Sequence, residues 1–153
     1  MRKDQQWLME GKAMYKHIMI CTDGSELADK GVEHGLALAG QLGAKVTVLS
    51  VTEPLEPHVI QAAIHAGVDD PVIRYDQQID EEMQRRFATI TERAASYGVP
   101  LELVHEIDDF PAETIVRSAR LKDCDLIVMS SHGRRGVQRL LLGSQTAEVV
   151  THS

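Results

Sequence analysis

No apolar run in this chain approaches the roughly 20 residues that a bilayer-spanning helix needs. The opening stretch "MRKDQQWLMEGKA" also lacks the apolar centre of a secretory signal. Positive charge is in short supply: 16 Lys and Arg against 23 Asp and Glu leave a formal net charge of −7. That balance argues against broad non-specific binding to nucleic acid or to an anionic membrane, although a local basic spot stays allowed. Cysteine is scarce. Cys21 and Cys124 both fall in or beside apolar runs, which suits buried thiols in a reducing compartment. The seven histidines show no metal-ligand spacing, and no metal-ligating residue is assigned. A Walker loop of the form G-x4-G-K-[ST] is missing, as are internal repeats and low-complexity segments. These absences lead to the expectation of a cytoplasmic protein with no membrane or nucleic-acid partner.

What is present is ordinary for a globular domain: 43% apolar and 25% charged residues in a chain of 153. One domain over residues 14–153 is expected. Residues 1–13 are polar and aperiodic and read as a leader or alternative start. "HIMICTD" (17–23) is a short apolar run that reads as a buried strand. Ala28, Val32, Gly35, Leu36, Ala39 and Leu42 then recur at helical spacing, with Gly43 as a C-terminal cap and Asp23 and Glu26 at capping-box spacing. "KVTVLSV" (45–51) predicts a second strand. Residues 54–72 read as a long connection with a short helical turn in its middle.

From about residue 73, Ile79, Met83, Phe87, Ile90, Ala94 and Tyr97 mark a helix that ends at Gly98. "PLELVHE" (100–106) is strand three, and the stripe Ala112, Ile115, Val116 and Ala119 after Pro111 is the next helix. "CDLIVMSS" (124–131) is strand four, and "SQTAEVVTHS" starts a last helix. Strands alternating with helices imply an α/β, doubly wound (Rossmann-like) parallel sheet with helices on both faces. The strand reading ends at four, with no fifth. Cys21 near the end of strand one and Cys124 at the start of strand four would lie on the order of 10 Å apart if those strands are neighbours. No disulfide is expected at that separation.

Ligands of such sheets bind beyond the carboxyl ends of strands where the strand order reverses. Two loops qualify. The second, "MSSHGRRGVQRLLLGSQT" (129–146), holds three glycines, three arginines and four hydroxyl residues. Gly133 and Gly143 let the backbone turn and lie close to a ligand. Gly143 and Ser144 open a helix, whose first amides are unpaired and attract anions. Ser144 and Thr146 add hydroxyls, and Arg134 and Arg135 add charge. Glycine turns, a plain Ser144 cap and solvated arginines explain the same residues without a ligand. In the first loop, Asp23 follows a strand end, where a carboxylate grips ribose hydroxyls or caps a helix.

Together "HIMICTDGSELADKGVEHGLALA", "KVTVLSV" and "CDLIVMSSHGRRGVQRLLLGSQTAEVV" resemble the universal stress protein family, over about residues 15–152. The family's ATP-binding branch carries G-x2-G-x9-G-[ST]. Here Ser130 stands at the first glycine, and Gly133, Gly143 and Ser144 match. The resemblance implies that Asp23 takes ribose hydroxyls, and that Thr22 and the Val51 backbone frame the adenine. Ser130, Ser131, His132 and Gly133 would line the ribose and α-phosphate. Gly143, Ser144, Gln145 and Thr146 would hold the outer phosphates. The implied ligand is ATP or AMP, on whose phosphates a divalent ion such as Mg would ride. A homodimer is implied as well, commonly built through the fifth strand that this reading lacks.

Three functions stay open on the sequence. One is a stress-response module that binds adenine nucleotide and regulates partner interactions. Another is an interaction protein of the same fold with a vestigial cleft, which Ser130 favours. A third is an enzyme or phospho-acceptor switch on a similar sheet, for which only Asp23 is in place. No catalytic residue is assigned. Neither a nucleophile nor a water-activating base is placed by the sequence, and His132 suits a phosphate hydrogen bond equally well, so any hydrolysis would be slow.

Overall fold

The computed structural model describes residues 15–130. They form four strands and four helices, in the expected order but for an added helix, α2: β1 (His17–Cys21), α1 (Glu26–Leu42), β2 (Lys45–Thr52), α2 (Pro57–His65), α3 (Pro71–Tyr97), β3 (Leu101–Ile107), α4 (Pro111–Leu121) and β4 (Leu126–Val128). The sheet is parallel throughout, in the order β3-β2-β1-β4. No fifth strand lies among the described residues. The last helix expected after Gly143, and the segment 1–13, lie outside them.

Central strands of a parallel sheet are covered on both faces, so they read as continuous apolar runs. All five residues of β1 are buried, and Ile18, Met19 and Ile20 are wholly so. Alternating side chains feed two cores. Ile18, Ile20, Val46 and Val48 pack against Val32, Leu36 and Ala39 of α1 and Ile90 and Ala94 of α3. Met19, Cys21 and Leu49 pack on the other face against Ala112, Ile115, Val116 and Ala119 of α4. The buried residues of α1, α3 and α4 are thus drawn largely from the three stripes read from the helical spacing. β4 is shorter than expected, and its three residues are only half-buried, in keeping with its place at the margin of the described sheet.

Three expectations need correction. The capping residue of α1 is Ser25, not Asp23: Ser25 Oγ accepts from the Ala28 amide at 3.1 Å. Asp23 instead bonds locally, its Oδ1 accepting from the Ser25 amide at 2.9 Å. The competition between a cap and an Asx turn is a local one, and spacing alone does not decide it. Residues 54–72 are mostly helical, because Pro57 and Pro71 each begin a helix, where a missing amide is no loss. Tyr97 closes its stripe on the surface, where its hydroxyl donates to Glu33. Gly43 and Gly98 do end their helices in the left-handed region, at φ 67° and 66°.

Polar residues inside the sheet are matched, as burial requires. His17 Nδ1 donates to the Lys122 carbonyl at 2.9 Å, and its Nε2 lies 2.7 Å from Thr47 Oγ1. Asp125 accepts from the amides of Lys16 and His17 at 2.9 and 3.2 Å, which fixes the start of β1 against β4.

Candidate functional site

The chain leaves β1 for β2 on one side, while β4 adds on the other. The strand order therefore reverses between β1 and β4, and in an open α/β sheet a crevice forms at the carboxyl ends of such strands. Four of the residues singled out in the sequence stand on this rim. Thr22 continues β1, and its amide donates to the Leu49 carbonyl at 3.0 Å. Asp23 follows it. Val51 is two residues beyond Leu49 on β2, packed toward α4. Ser130 is two residues beyond Val128, which pairs with Ile20, so Ser130 and Thr22 end their strands at one level. The first turns of α1 run beside that end: a Cβ placed on Gly31 would be 3.6 Å from the Ser130 amide nitrogen. Ser131, His132, Gly133, Gly143, Ser144, Gln145 and Thr146 lie outside the described residues, as do Arg134 and Arg135.

Three side chains of the turn from β1 into α1 bond within it. Thr22 Oγ1 accepts from the Gly24 amide at 3.2 Å, Asp23 Oδ1 from Ser25, and Ser25 Oγ from Ala28. Gly24 has φ +79°, a conformation that L side chains rarely adopt. The result holds the Asp23 carboxylate at the mouth of the crevice, half-buried, beside the positive end of α1. Ser130 is not among the non-glycine residues with positive φ, which are Asp70 and Asp123 among those described. Its backbone therefore does not require a glycine.

A second set of polar groups on this rim was not legible in advance. Ser50 is buried beneath the turn and donates to the Thr22 carbonyl at 2.8 Å. Arg86 of α3 reaches in to donate to Ser50 Oγ at 2.8 Å and to Glu82 Oε1 at 2.7 Å. Farther along, His105 Nε2 lies 2.8 Å from Thr52 Oγ1, and Tyr75 donates to the Glu53 carbonyl at 2.7 Å. Burial pushes the His105 pKa down; Asp80 opposes this and Arg86 adds to it. The one signal in the sequence is Glu82 four residues before Arg86, an i,i+4 pair abutting the stripe residues Met83 and Phe87. Among the described residues no group of three or more His, Cys, Asp and Glu is placed to hold a metal ion, and no helix is long and apolar enough to cross a membrane.

Comparison with known proteins agrees with this architecture. The profile of the universal stress protein family matches residues 14–153. The chain belongs to that family. Universal stress protein MJ0531 of Methanocaldococcus jannaschii is 27% identical over 146 residues, which cover 95% of this chain and 82% of the relative. The solved structure of MJ0577, a universal stress protein of the same organism, superposes with a TM-score of 0.71 at 25% identity, covering 92% of this chain and 91% of that one. A universal stress protein crystallised in complex with cAMP shares the fold at 20% identity, with a TM-score of 0.62 over 92% of both chains.

Proposed function

We propose that this universal stress protein is an adenine-nucleotide-binding module that takes ATP or AMP in the crevice at the carboxyl ends of β1 and β4 and regulates partner interactions by doing so. The observation that carries the reading is the meeting of Asp23 and Ser130 on one rim. Asp23 supplies an acceptor for ribose hydroxyls, and Ser130 begins the spacing Ser130-x2-Gly133-x9-Gly143-Ser144. In this reading Thr22 and the Val51 backbone frame the base. Ser131, His132 and Gly133 follow the ribose and α-phosphate, and Gly143, Ser144, Gln145 and Thr146 receive the outer phosphates, with Mg as companion ion. Glycine at 133 and 143 allows close backbone approach, and the amides opening a helix at Ser144 face negative oxygen. That a protein of this fold was crystallised with cAMP is consistent with an adenine nucleotide here. The reading includes a cytoplasmic homodimer and at most slow hydrolysis.

The direct test is whether the purified protein carries adenine nucleotide, read by ultraviolet absorbance and mass spectrometry. Stripped protein should then be stabilised by roughly 2.7 kcal/mol when ATP is added at about 100 times its dissociation constant. No nucleotide and no shift would favour the second reading, an interaction protein with a vestigial cleft. Ser130 at the first motif position is the observation on its side.

A further inference from the structure

The arginine that α3 sends to the rim does more than tie a helix to the sheet. Its guanidinium lies directly on the β1–α1 turn: a Cβ placed on Gly24 would be 2.1 Å from Nη2, 2.5 Å from Cζ and 2.6 Å from Nε. Gly24 is held to glycine by its positive φ, and the arginine lies against it. On the near side of the turn, Arg86 bonds Ser50 Oγ, which in turn bonds the Thr22 carbonyl. The backbone is thus braced at residue 22 through Ser50 and at residue 24 directly. Asp23 stands between the two braces.

The brace is itself anchored. Glu82 accepts from Nη2, and the side chains of this pair are only 12% and 25% exposed. The Arg93–Asp29 pair, which joins α3 to α1 elsewhere, is 31% and 52% exposed. Weaker solvation leaves the Arg86–Glu82 pair less screened and more rigid. Arginine suits the task because its planar fork serves two acceptors while its face covers backbone; a lysine ammonium offers one point charge.

We propose that Arg86 is a positioning residue of the nucleotide crevice: clamped by Glu82 and Ser50, it braces the turn on both sides of Asp23 and sets where that carboxylate stands toward the ligand's sugar. The proposal rests on the nucleotide reading above. It goes beyond that reading by assigning a role to a helix that contributes no motif residue. Holding an acceptor in its bound position before the ligand arrives lowers the ordering cost of binding.

A double-mutant cycle tests it. ATP binding is measured by calorimetry on the full chain for wild type, Arg86→Met, Asp23→Ala and the double variant, with melting curves to confirm folding. Arg86→Met should weaken ATP by about tenfold, the scale of one charge-assisted hydrogen bond. The double variant should bind no more weakly than Asp23→Ala alone, since Arg86 acts through Asp23, and Arg86→Lys should recover part of the loss. A folded Arg86→Met with wild-type affinity, or losses that multiply in the double variant, overturns the proposal and leaves only a structural tie. If Arg86→Met does not fold, Ser50→Ala, which cuts the bridge to Thr22, enters the same cycle with the same expected outcomes. Wild-type protein that binds no ATP or AMP overturns the nucleotide reading and this inference with it.

Discussion

Cys21 closes β1 with its thiol buried against α4, and burial, with a smaller contribution from nearby Cys124, pushes its pKa up to about 12. Reactivity follows the thiolate, so at pH 8 roughly one part in ten thousand of Cys21 is in the reactive form. Cys124 is half-buried and shifted upward too, chiefly by burial. A thiol reagent on native protein should label Cys124 first and Cys21 only after denaturant is added, as peptide mass spectrometry would read. His105 gives a second residue-scale prediction. Burial holds its folded pKa below the ordinary value, so the unfolded chain takes up the proton first as pH falls. The stability it contributes is complete above about pH 6.5 and is lost as pH falls through the lower folded value. His105→Gln should therefore show a shallower fall in denaturant midpoint between about pH 7 and pH 5 than wild type; equal slopes would contradict this. Asp23 illustrates what sequence reasoning misses at this scale. Its place after a strand was legible, but whether it caps α1 depended on whether Ser25 Oγ reaches the Ala28 amide, a matter of one turn's dihedral angles.

Among the elements, α1 depends on a small residue where it crosses the sheet. A Cβ on Gly35 would be 2.6 Å from Ile20 Cδ1 and 3.5 Å from Val128 Cγ1. Ile20 is wholly buried and has little room to yield. Gly35→Ala should therefore destabilise by about 1–2 kcal/mol, because overpacking outweighs the gain of up to about 1 kcal/mol in helix propensity. Chemical denaturation measures the difference, and a more stable variant would show that β1 relaxes. The first helix after β2 behaves differently. α2 buries no residue, whereas α1 buries five. Local opening follows buried contact, so α2 amides should exchange with solvent much faster than those of α1. That same lack of a buried stripe is why "VIQAAIHAG" reads as a short turn in the sequence: periodicity reports burial, and α2 has none to report.

At the scale of the molecule, the order β3-β2-β1-β4 puts the ends of β1 and β4, about 100 residues apart in the chain, on one rim. Nucleotide binding, if the proposed reading holds, is a property of that rim and not of either loop. Gly143→Val should then abolish the thermal shift on adding ATP while leaving the melting temperature without ligand close to wild type, since a β-branched side chain would enter the phosphate cradle. An undiminished shift would remove the motif from the binding site. The deficit of basic residues bears on the same scale: with a net charge of −7, the overall field does not draw in a polyphosphate, and the proposed ligand would depend on local groups.

The sequence by itself determined the strands, the helical stripes of α1, α3 and α4 and the glycine caps, because each is written in spacing within one element, and the family, because motif residues of several elements recur together in the chain. Only the tertiary structure decided that Arg86 and Ser50 belong beside Asp23. Those residues sit on three elements, and no local pattern records which side chain a crossover will deliver to a neighbouring strand's end. Burial made the pattern legible, while the contact between α3 and the first turn is a product of packing, fixed only when the sheet and its covering helices close on one another.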